Sequence, residues 1–168
     1  MIVVVMGVSG AGKTTVGTAL ALALGCEFLD ADEFHPAENV AKMAAATPLT
    51  DADRWPWLDR LNRELGARES RGLSAVLACS ALKETYRTRL TTGIGQARLV
   101  YLRGSIEFIR ARIATRKHRY MPAALLESQF GTLEPPENAL VVDAELAVSE
   151  AVEQIAAGLA TKDPARTL

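Results

Sequence analysis

Short apolar runs alternate with longer segments of helical periodicity from one end of the chain to the other. The runs are continuous and do not alternate with polar residues, which is typical of parallel strands covered by helices on both faces. Strands that alternate with helices predict a parallel α/β sheet with right-handed crossovers. The five predicted strands lie at residues 2–6, 27–29, 74–78, 98–102 and 140–142.

The helices are indicated by apolar residues at intervals of three and four and by residues typical of helix ends. Gly25 and Gly72 each follow such a segment and favour its termination there. Thr50 and Asp53 have the spacing of a capping box, which predicts a helix start. These features predict helices over residues 13–24, 56–70 and 105–116, and a last one with the apolar stripe Val148, Val152, Ile155 and Leu159.

The composition narrows the class of protein. The chain has 168 residues, 49% of them hydrophobic, which suits one globular domain, expected over residues 1–160 and followed by a flexible tail at 161–168. Its 19 basic and 20 acidic side chains nearly cancel, whereas nucleic-acid and membrane-surface binders need a positive excess. No apolar stretch approaches the ~18 residues that span a bilayer, so we expect a cytoplasmic protein.

One glycine-rich segment carries a complete nucleotide-binding motif. Residues 7–14 read Gly-Val-Ser-Gly-Ala-Gly-Lys-Thr, the P-loop pattern, and lie between a predicted strand and a predicted helix. Backbone N–H groups of such a loop and the positive helix N-terminus bind phosphate oxygens. The lysine is expected beside the β- and γ-phosphates as a catalytic group, and the threonine hydroxyl on Mg²⁺. The predicted sites for ATP with Mg²⁺ are Gly7, Val8, Ser9, Gly10, Ala11, Gly12, Lys13, Thr14 and Thr15.

A pair of aspartates follows the second predicted strand. Asp30 and Asp32 lie at its carboxyl end, where open parallel sheets bind their ligands. Phosphoryl transfer to an alcohol needs one carboxylate that accepts the hydroxyl proton and another that holds the metal or its waters. We assign Asp32 to the hydroxyl, as a catalytic residue, and Asp30 to the metal. The alternative is that both are solvated loop carboxylates.

Other classes of P-loop protein fit less well. A GTPase needs Asp-x-x-Gly, which is absent, and [NT]-K-x-D, which residues 161–164 fail at the fourth position. Residues 140–143 have the form of the strand-ending aspartate of a motor ATPase, but they close the last predicted strand. A kinase for a small acceptor is therefore favoured. A nucleotide sensor without catalytic activity is the alternative from another class.

Four segments form a pattern more specific than the phosphate loop alone. The first is the phosphate loop, and the second is Asp-Ala-Asp-Glu-Phe-His-Pro at 30–36 with Asn39 and Lys42-Met43. The third combines residues 48–58 with Ala-Cys-Ser-Ala-Leu-Lys-Glu-Thr-Tyr-Arg at 78–87. The fourth is Met-Pro-Ala-Ala-Leu-Leu-Glu-Ser-Gln-Phe at 121–130 with Leu-Glu-Pro at 133–135. Together they span most of residues 2–137. In this order they resemble the bacterial-type gluconate kinases, small P-loop enzymes related to shikimate kinases and nucleoside monophosphate kinases.

The resemblance implies a fold, a reaction and a mobile lid. The fold is a three-layer α/β/α P-loop kinase with a five-stranded parallel sheet in the order 2-3-1-4-5. The reaction is phosphorylation of D-gluconate, a small-molecule substrate, by ATP to 6-phosphogluconate. A mobile lid over about residues 117–129 would close and exclude water as a competing acceptor. In this lid His118 stands where the family has a Gly or Asn, and Arg119 stands at the position of the family's histidine.

Several side chains near the expected acceptor site have suitable chemistry. The guanidinium of Arg54 can bind both oxygens of a carboxylate, and we assign it to the C1 carboxylate of gluconate. The alternative is an ion pair with Asp51 or Asp53. His35 and Lys42 can donate to sugar hydroxyls, although a histidine beside a proline is often structural.

The remaining predicted contacts come from the third strand and the lid. Ser80 supplies a hydroxyl, and Lys83 and Arg87, one helical turn apart, can extend an anion site or form a solvated helix face. Arginines at the lid can stack on adenine or reach the transferring phosphoryl group. We therefore assign nucleotide-binding roles to Arg112 and Arg116 and a catalytic role to Arg119.

The sequence leaves the acceptor and the assembly open. Inversion of one hydroxyl changes no motif, so gluconate is not separated from a close aldonic acid. A shikimate-like or nucleoside-monophosphate-like kinase is the alternative within the same class. A homodimer is neither indicated nor excluded.

Overall fold

The computed structural model describes residues 1–45, 47–115 and 123–161. In this part of the chain five strands alternate with seven α-helices, and a short 3₁₀ helix spans Ala31–Phe34. The strands are β1 (Ile2–Met6), β2 (Glu27–Asp30), β3 (Ala75–Ala78), β4 (Ala97–Arg103) and β5 (Leu140–Asp143). The helices are α1 (Lys13–Leu24), α2 (Ala37–Ala44), α3 (Asp51–Ser70), α4 (Glu84–Thr91), α5 (Ile106–Ala114), α6 (Ala123–Thr132) and α7 (Val148–Thr161).

The five strands form one parallel sheet in the order β2-β3-β1-β4-β5, as predicted. β1 is central, and its Val4 lies opposite Leu77 of β3 and Leu99 of β4. Each predicted strand is present with ends within one residue of those predicted. Because all strands are parallel, the loops that follow β1, β2 and β3 leave the same edge of the sheet, where ligands bind in open α/β folds.

Alternate residues of β1 face two separate layers of helices. Val3 and Val5 lie in a buried cluster with side chains of α1, α5, α6 and α7. Ile2, Val4 and Met6 lie in a second cluster with side chains of α3 and α4. Both faces of the sheet are therefore covered, which is why the strands are continuous apolar runs. The predicted three-layer α/β/α architecture is confirmed.

Helix α3 begins earlier than predicted. The predicted start was Pro56, but the helix begins at Asp51 after a complete capping box, in which Thr50 Oγ1 accepts a hydrogen bond from the Asp53 amide and Asp53 accepts one from the Thr50 amide. Pro56 lies inside the helix and removes one backbone bond, to the carbonyl of the exposed residue Ala52. The reciprocal cap therefore sets the helix start, and the proline is tolerated within it.

The lid side of the fold is described in part. Helix α5 is capped by Ser105 and ends at Ala114, two residues short of the predicted end. Arg116, residues 117–122 of the predicted lid, and residues 162–168 of the predicted tail lie outside the described residues. Residues 123–129 of the predicted lid form the beginning of α6. None of the helices in the described ranges has the length and apolar character to cross a membrane.

Candidate active site

The phosphate loop connects β1 to α1 and leaves the first turn of α1 open. Gly12, with φ of 98°, precedes the helix, and no side chain caps it. Gly10 has φ of +88°, and a Cβ there would lie 2.8 Å from Ile113 Cγ1 of α5, so the loop can pack against α5 only with glycine. The amide of Gly7 donates to the Ser80 carbonyl at 3.4 Å, which joins the loop to the end of β3. An uncapped helix N-terminus of this kind binds anions.

Two basic side chains lie against this loop. Lys13 Nζ is 3.1 Å from the Val8 carbonyl oxygen, so the ammonium folds back over the loop. Arg112 donates to the carbonyls of Ala11 at 3.4 Å and Ala144 at 3.2 Å. Lys13 and Arg112 therefore both lie beside the phosphate loop, and their contacts to the nucleotide stay predictions.

Two predicted metal ligands lie together beside the loop. Thr14 Oγ1 donates to Asp30 Oδ2 at 3.0 Å, and Asp30 Oδ1 accepts a hydrogen bond from the Asp32 amide at 3.1 Å. A hydroxyl and a carboxylate are oxygen donors of the type Mg²⁺ takes, and Mg²⁺ usually completes its shell with phosphate oxygens and water. The described residues contain no group of three or more His, Cys, Asp or Glu that could hold a metal ion.

Lys13, Asp30 and Asp32 lie at the carboxyl edge of the sheet. Lys13 begins α1 directly after the phosphate loop, and Asp30 ends β2, where its carboxylate contacts the Thr14 hydroxyl and the Asp32 amide. The buried thiol of Cys79 follows β3 at the same edge, and burial raises its pKa to about 12. The structure thus brings the P-loop lysine and both predicted carboxylates to one edge of the sheet.

His35 is held in a defined orientation. Its ring stacks on Trp57 with centroids 4.2 Å apart, and Trp57 Nε1 donates to the Ala31 carbonyl at 2.8 Å. Asn39 Nδ2 donates to the Asp53 carbonyl at 2.9 Å and lies 3.4 Å from His35 Nδ1, so Nδ1 is the acceptor and the proton is on Nε2. Burial lowers the pKa of His35, which favours this neutral form.

Arg54 keeps one edge of its guanidinium available. Nη1 donates to the Leu49 carbonyl at 2.5 Å and to Tyr86 Oη at 3.4 Å, while Asp51 is 3.8 Å away. Nε and Nη2 have no hydrogen-bond acceptor among the described residues. This free edge has the geometry that binds a carboxylate through two parallel bonds. The alternative interpretation, an ion pair with Asp51, applies only to Nη1 and at long distance.

Lys83 is already paired with a carboxylate of the chain. Its Nζ is 3.1 and 3.0 Å from the two oxygens of Asp51, and Tyr86 Oη donates to the same carboxylate at 2.5 Å. These contacts, with the Tyr86 hydrogen bond as the largest cause, lower the pKa of Asp51. Asp51 thus occupies the position that an anionic ligand of Lys83 would take.

Lys42 is paired in the same way. Its Nζ lies 2.6 Å from Asp53 Oδ1. The hydrogen bond from Lys42, followed by those from the Thr50 amide and hydroxyl, lowers the pKa of Asp53 to about 2. The carboxylate that caps α3 therefore also holds the cation predicted to contact a sugar hydroxyl.

Contrary to the prediction, Arg87 does not lie in the cleft. Its side chain is 2% exposed, and its Nη1 donates to the Ala81 and Leu82 carbonyls, both at 3.0 Å. Nε and Nη2 donate to Glu84 at 2.9 and 2.6 Å. All three nitrogens are thus used inside the protein, and the predicted substrate contact is corrected to a structural role. The segment it holds includes Ala81, the only described non-glycine residue with positive φ, at 44°.

Two residues of this region had no role in the sequence-based interpretation. Asn39 is 3% exposed and orients His35, and Tyr86 joins Asp51 to Arg54. His35 precedes α2, whose N-cap is Pro36, so its spacing of four residues from Asn39 is not a helical signal for their contact. Tyr86 has no local signal either, since its partners are more than 30 residues away.

Comparison with known proteins gives consistent matches over most of the chain. The family model described as AAA domain matches residues 2–136. A protein named "Probable gluconokinase" from Xenopus tropicalis is 43% identical over 92% of this chain and 91% of its own length. The gluconokinase of Gluconobacter oxydans is 47% identical over 79% of this chain and 75% of its own. The crystal structure of a gluconokinase from Sinorhizobium meliloti matches with a TM-score of 0.86 and 42% identity, covering 95% of this chain and 91% of that one.

Proposed function

The chain belongs to the gluconokinase family of P-loop kinases, and we propose that it transfers the γ-phosphoryl group of ATP to the 6-hydroxyl of D-gluconate. The main structural support is the placement of Lys13, Asp30 and Asp32 beside the phosphate loop, where Lys13 contacts the Val8 carbonyl and Asp30 contacts the Thr14 hydroxyl and the Asp32 amide. A nucleotide sensor needs no proton acceptor next to the phosphates, whereas a kinase for an alcohol does. The product is 6-phospho-D-gluconate, and ADP is released.

The donor side binds the phosphates of ATP through the loop amides and the open N-terminus of α1. Lys13 places its ammonium beside the β- and γ-phosphates, where negative charge moves during transfer. Arg112 supports the loop from the side of α5 through the Ala11 carbonyl. Arg116 and Arg119, proposed for the adenine and the phosphoryl group, lie outside the described residues.

Thr14 and Asp30 are the residues that would hold Mg²⁺. Their oxygens are 3.0 Å apart, and the chemistry of this pair fits a cation that keeps water and phosphate oxygens as its other ligands. The bound cation would neutralise charge on the β- and γ-phosphates. Asp30 also accepts a hydrogen bond from the Asp32 amide, so the two carboxylates are held in fixed relation.

Asp32 acts as the general base toward the acceptor. Its carboxylate takes the proton of the 6-hydroxyl while the oxygen forms a bond to the γ-phosphorus and the bond from that phosphorus to the β–γ bridging oxygen breaks. The exposed carboxylate has no hydrogen-bond partner among the described side chains, so its oxygens are available to the hydroxyl. His35 presents Nε2–H to a neighbouring hydroxyl, because Asn39 occupies its Nδ1.

Arg54 provides the cationic partner for the carboxylate of gluconate. The free Nε and Nη2 edge can bind both oxygens, and the Leu49 carbonyl fixes the other side of the guanidinium. Lys83 can contribute if the substrate carboxylate competes with Asp51 for its ammonium. Ser80 and Lys42 remain proposed contacts to the polyol. Arg87 is left out because it is buried.

A coupled assay of ADP release tests this function. The purified protein is supplied with ATP, Mg²⁺ and, in parallel, D-gluconate, another aldonic acid, glucose, shikimate or AMP. We expect turnover with gluconate well above that with glucose, shikimate or AMP, and the rate with the other aldonic acid decides between the two sugar acids. Turnover with shikimate or AMP alone would replace gluconate by that acceptor. ATP binding without turnover of any acceptor would favour the nucleotide sensor.

A further inference from the structure

The phosphate loop has a partner in α6. The amide of Ser9 donates to Gln129 Oε1 at 2.7 Å, although the two residues are 120 positions apart in the chain. Because Ser9 N–H is a donor, the atom facing it must be the amide oxygen of Gln129. The orientation of this carboxamide is therefore known.

The position of this contact marks one end of the phosphate site. Lys13 Nζ is 3.1 Å from the carbonyl of Val8, the residue before Ser9. The ammonium of a P-loop lysine binds the β- and γ-phosphates. The Gln129 carboxamide contacts the residue next to the one that Lys13 contacts, so it lies at the part of the loop where the β- and γ-phosphates are expected.

Helix α6 is anchored at both sides of Gln129. Leu126, one turn earlier, is 2% exposed and belongs to the core. After the helix, the Glu134 amide donates to the Leu82 carbonyl at 2.9 Å, and the Glu134 carboxylate accepts the Glu84 amide at 2.6 Å. These contacts tie the end of α6 to the loop after β3. These contacts hold Gln129, the last residue of the predicted lid segment, against the phosphate loop in this structure.

Once Oε1 is bound to Ser9, the two N–H groups of Gln129 Nε2 have no acceptor among the described residues. Gln129 is half-buried, so these donors lie in a partly desolvated place beside the loop. The transferring phosphoryl group carries its charge on three equatorial oxygens, which need fixed donors. We propose, resting on the phosphoryl transfer proposed above, that Gln129 is a phosphate-binding residue whose Nε2 donates to the γ-phosphoryl group of ATP while its Oε1 holds the Ser9 amide.

Binding of ATP and ADP without acceptor tests this role, because the two nucleotides differ only in the γ-phosphoryl group. In Gln129→Ala the affinity for ATP should fall about 10- to 100-fold, as for a hydrogen bond to a charged group, while the affinity for ADP changes little. Unchanged ADP binding also shows that the variant is folded. Since no acceptor is present, the result does not depend on gluconate being the substrate.

A second variant distinguishes the contribution of Nε2 from that of Oε1. Gln129→Glu keeps an oxygen for the Ser9 amide but replaces the donor by a negative charge, so its ATP affinity and kcat should fall below those of Gln129→Ala. Ser128→Ala, an exposed neighbour on α6, is the matched control and should behave as the unaltered protein. Equal losses for ATP and ADP, tighter binding of both, normal ATP binding in Gln129→Ala, or an active Gln129→Glu would each overturn the proposal.

Discussion

The phosphate side and the acceptor side of the site differ in how far their polar groups are paired within the protein. At the phosphate loop no side chain caps α1, and the amides of its first turn are open to an anion. On the acceptor side Lys42 is bonded to Asp53 and Lys83 to Asp51. The first region is thus ready for its ligand, whereas cations of the second are already neutralised by the chain's own carboxylates.

This difference has a physical consequence for binding. Phosphates bring several charges to a rigid loop, so an open and preorganised site gives strong electrostatic stabilisation. A sugar acid brings one carboxylate and must compete with Asp51 for Lys83, which favours the free edge of Arg54 as its partner. Affinity for the acceptor should therefore depend on few contacts, and affinity for ATP on many.

The largest effect is expected at Asp32, which lies between the two regions. Asp32→Asn keeps the shape of the side chain but cannot accept the hydroxyl proton, so kcat should fall by about 10²–10⁴ while ATP affinity changes little. Single-turnover rates and ATP binding are the measurements, and Glu33→Gln, an exposed neighbour, is the control. Weaker ATP binding with normal turnover would mean that Asp32 holds the metal and that the roles of Asp30 and Asp32 are exchanged.

Lys13→Ala tests the phosphate side. Loss of this preorganised charge should lower kcat by about 10²–10³, because the ammonium stabilises charge on the transferring group. The side chain is only partly buried and contacts a backbone carbonyl, so the melting temperature should stay close to that of the unaltered protein. Full activity in a folded Lys13→Ala protein would contradict the whole assignment of the loop.

The phosphate side of the site could largely be predicted from the sequence, whereas the pairing of charges on the acceptor side could not. The place of the phosphate loop between β1 and α1, the position of Asp30 at the end of β2 and the bounds of α1 follow from patterns within a few residues, and the structure has these positions as predicted. Burial of Arg87 and the pairing of Lys42 depend on how α2, α3 and α4 pack, which no local pattern records. The sequence therefore predicts charged residues near the pocket to be ligands, although Lys42, Lys83 and Arg87 are bonded to the protein itself.

Arg54→Lys tests whether the acceptor side recognises a carboxylate. An ammonium cannot replace the two parallel bonds of a guanidinium edge, so the KM for gluconate should rise about 10- to 100-fold, corresponding to about 1.5–3 kcal/mol. The KM for ATP should change little. Steady-state kinetics with each substrate varied separately gives both values.

Glucose is the matched control acceptor, because it has a 6-hydroxyl but no carboxylate. Its poor use should hardly respond to Arg54→Lys. Equal losses with gluconate and glucose would show that Arg54 supports the fold through Leu49, and Lys83 would then be the carboxylate contact.

The smallest effect concerns the pairing of Lys42 with Asp53, and it appears in stability. The pKa of Asp53 is lowered to about 2 in the folded protein, below the usual value of about 3.9 in an unfolded chain. The unfolded state therefore binds the proton more readily, so the carboxylate stabilises the fold above about pH 4, and this contribution is lost as the pH falls through about 2. Asp53→Asn should lower the free energy of unfolding at pH 7, with a difference that narrows between pH 4 and pH 2.

Urea unfolding of three variants over this pH range separates the pair from the cap. Thr50→Ala removes the hydroxyl that caps α3 and should cost about 0.5–2 kcal/mol at neutral pH. Lys42→Met keeps the cap and removes only the ion pair, so its loss should be smaller than that of Asp53→Asn, since the Lys42 side chain is 42% exposed. If Asp53→Asn and the unaltered protein differ by the same amount at every pH, the carboxylate is not paired in solution. Lys42 would then be free to bind the polyol, and the acceptor side would be as open as the phosphate loop.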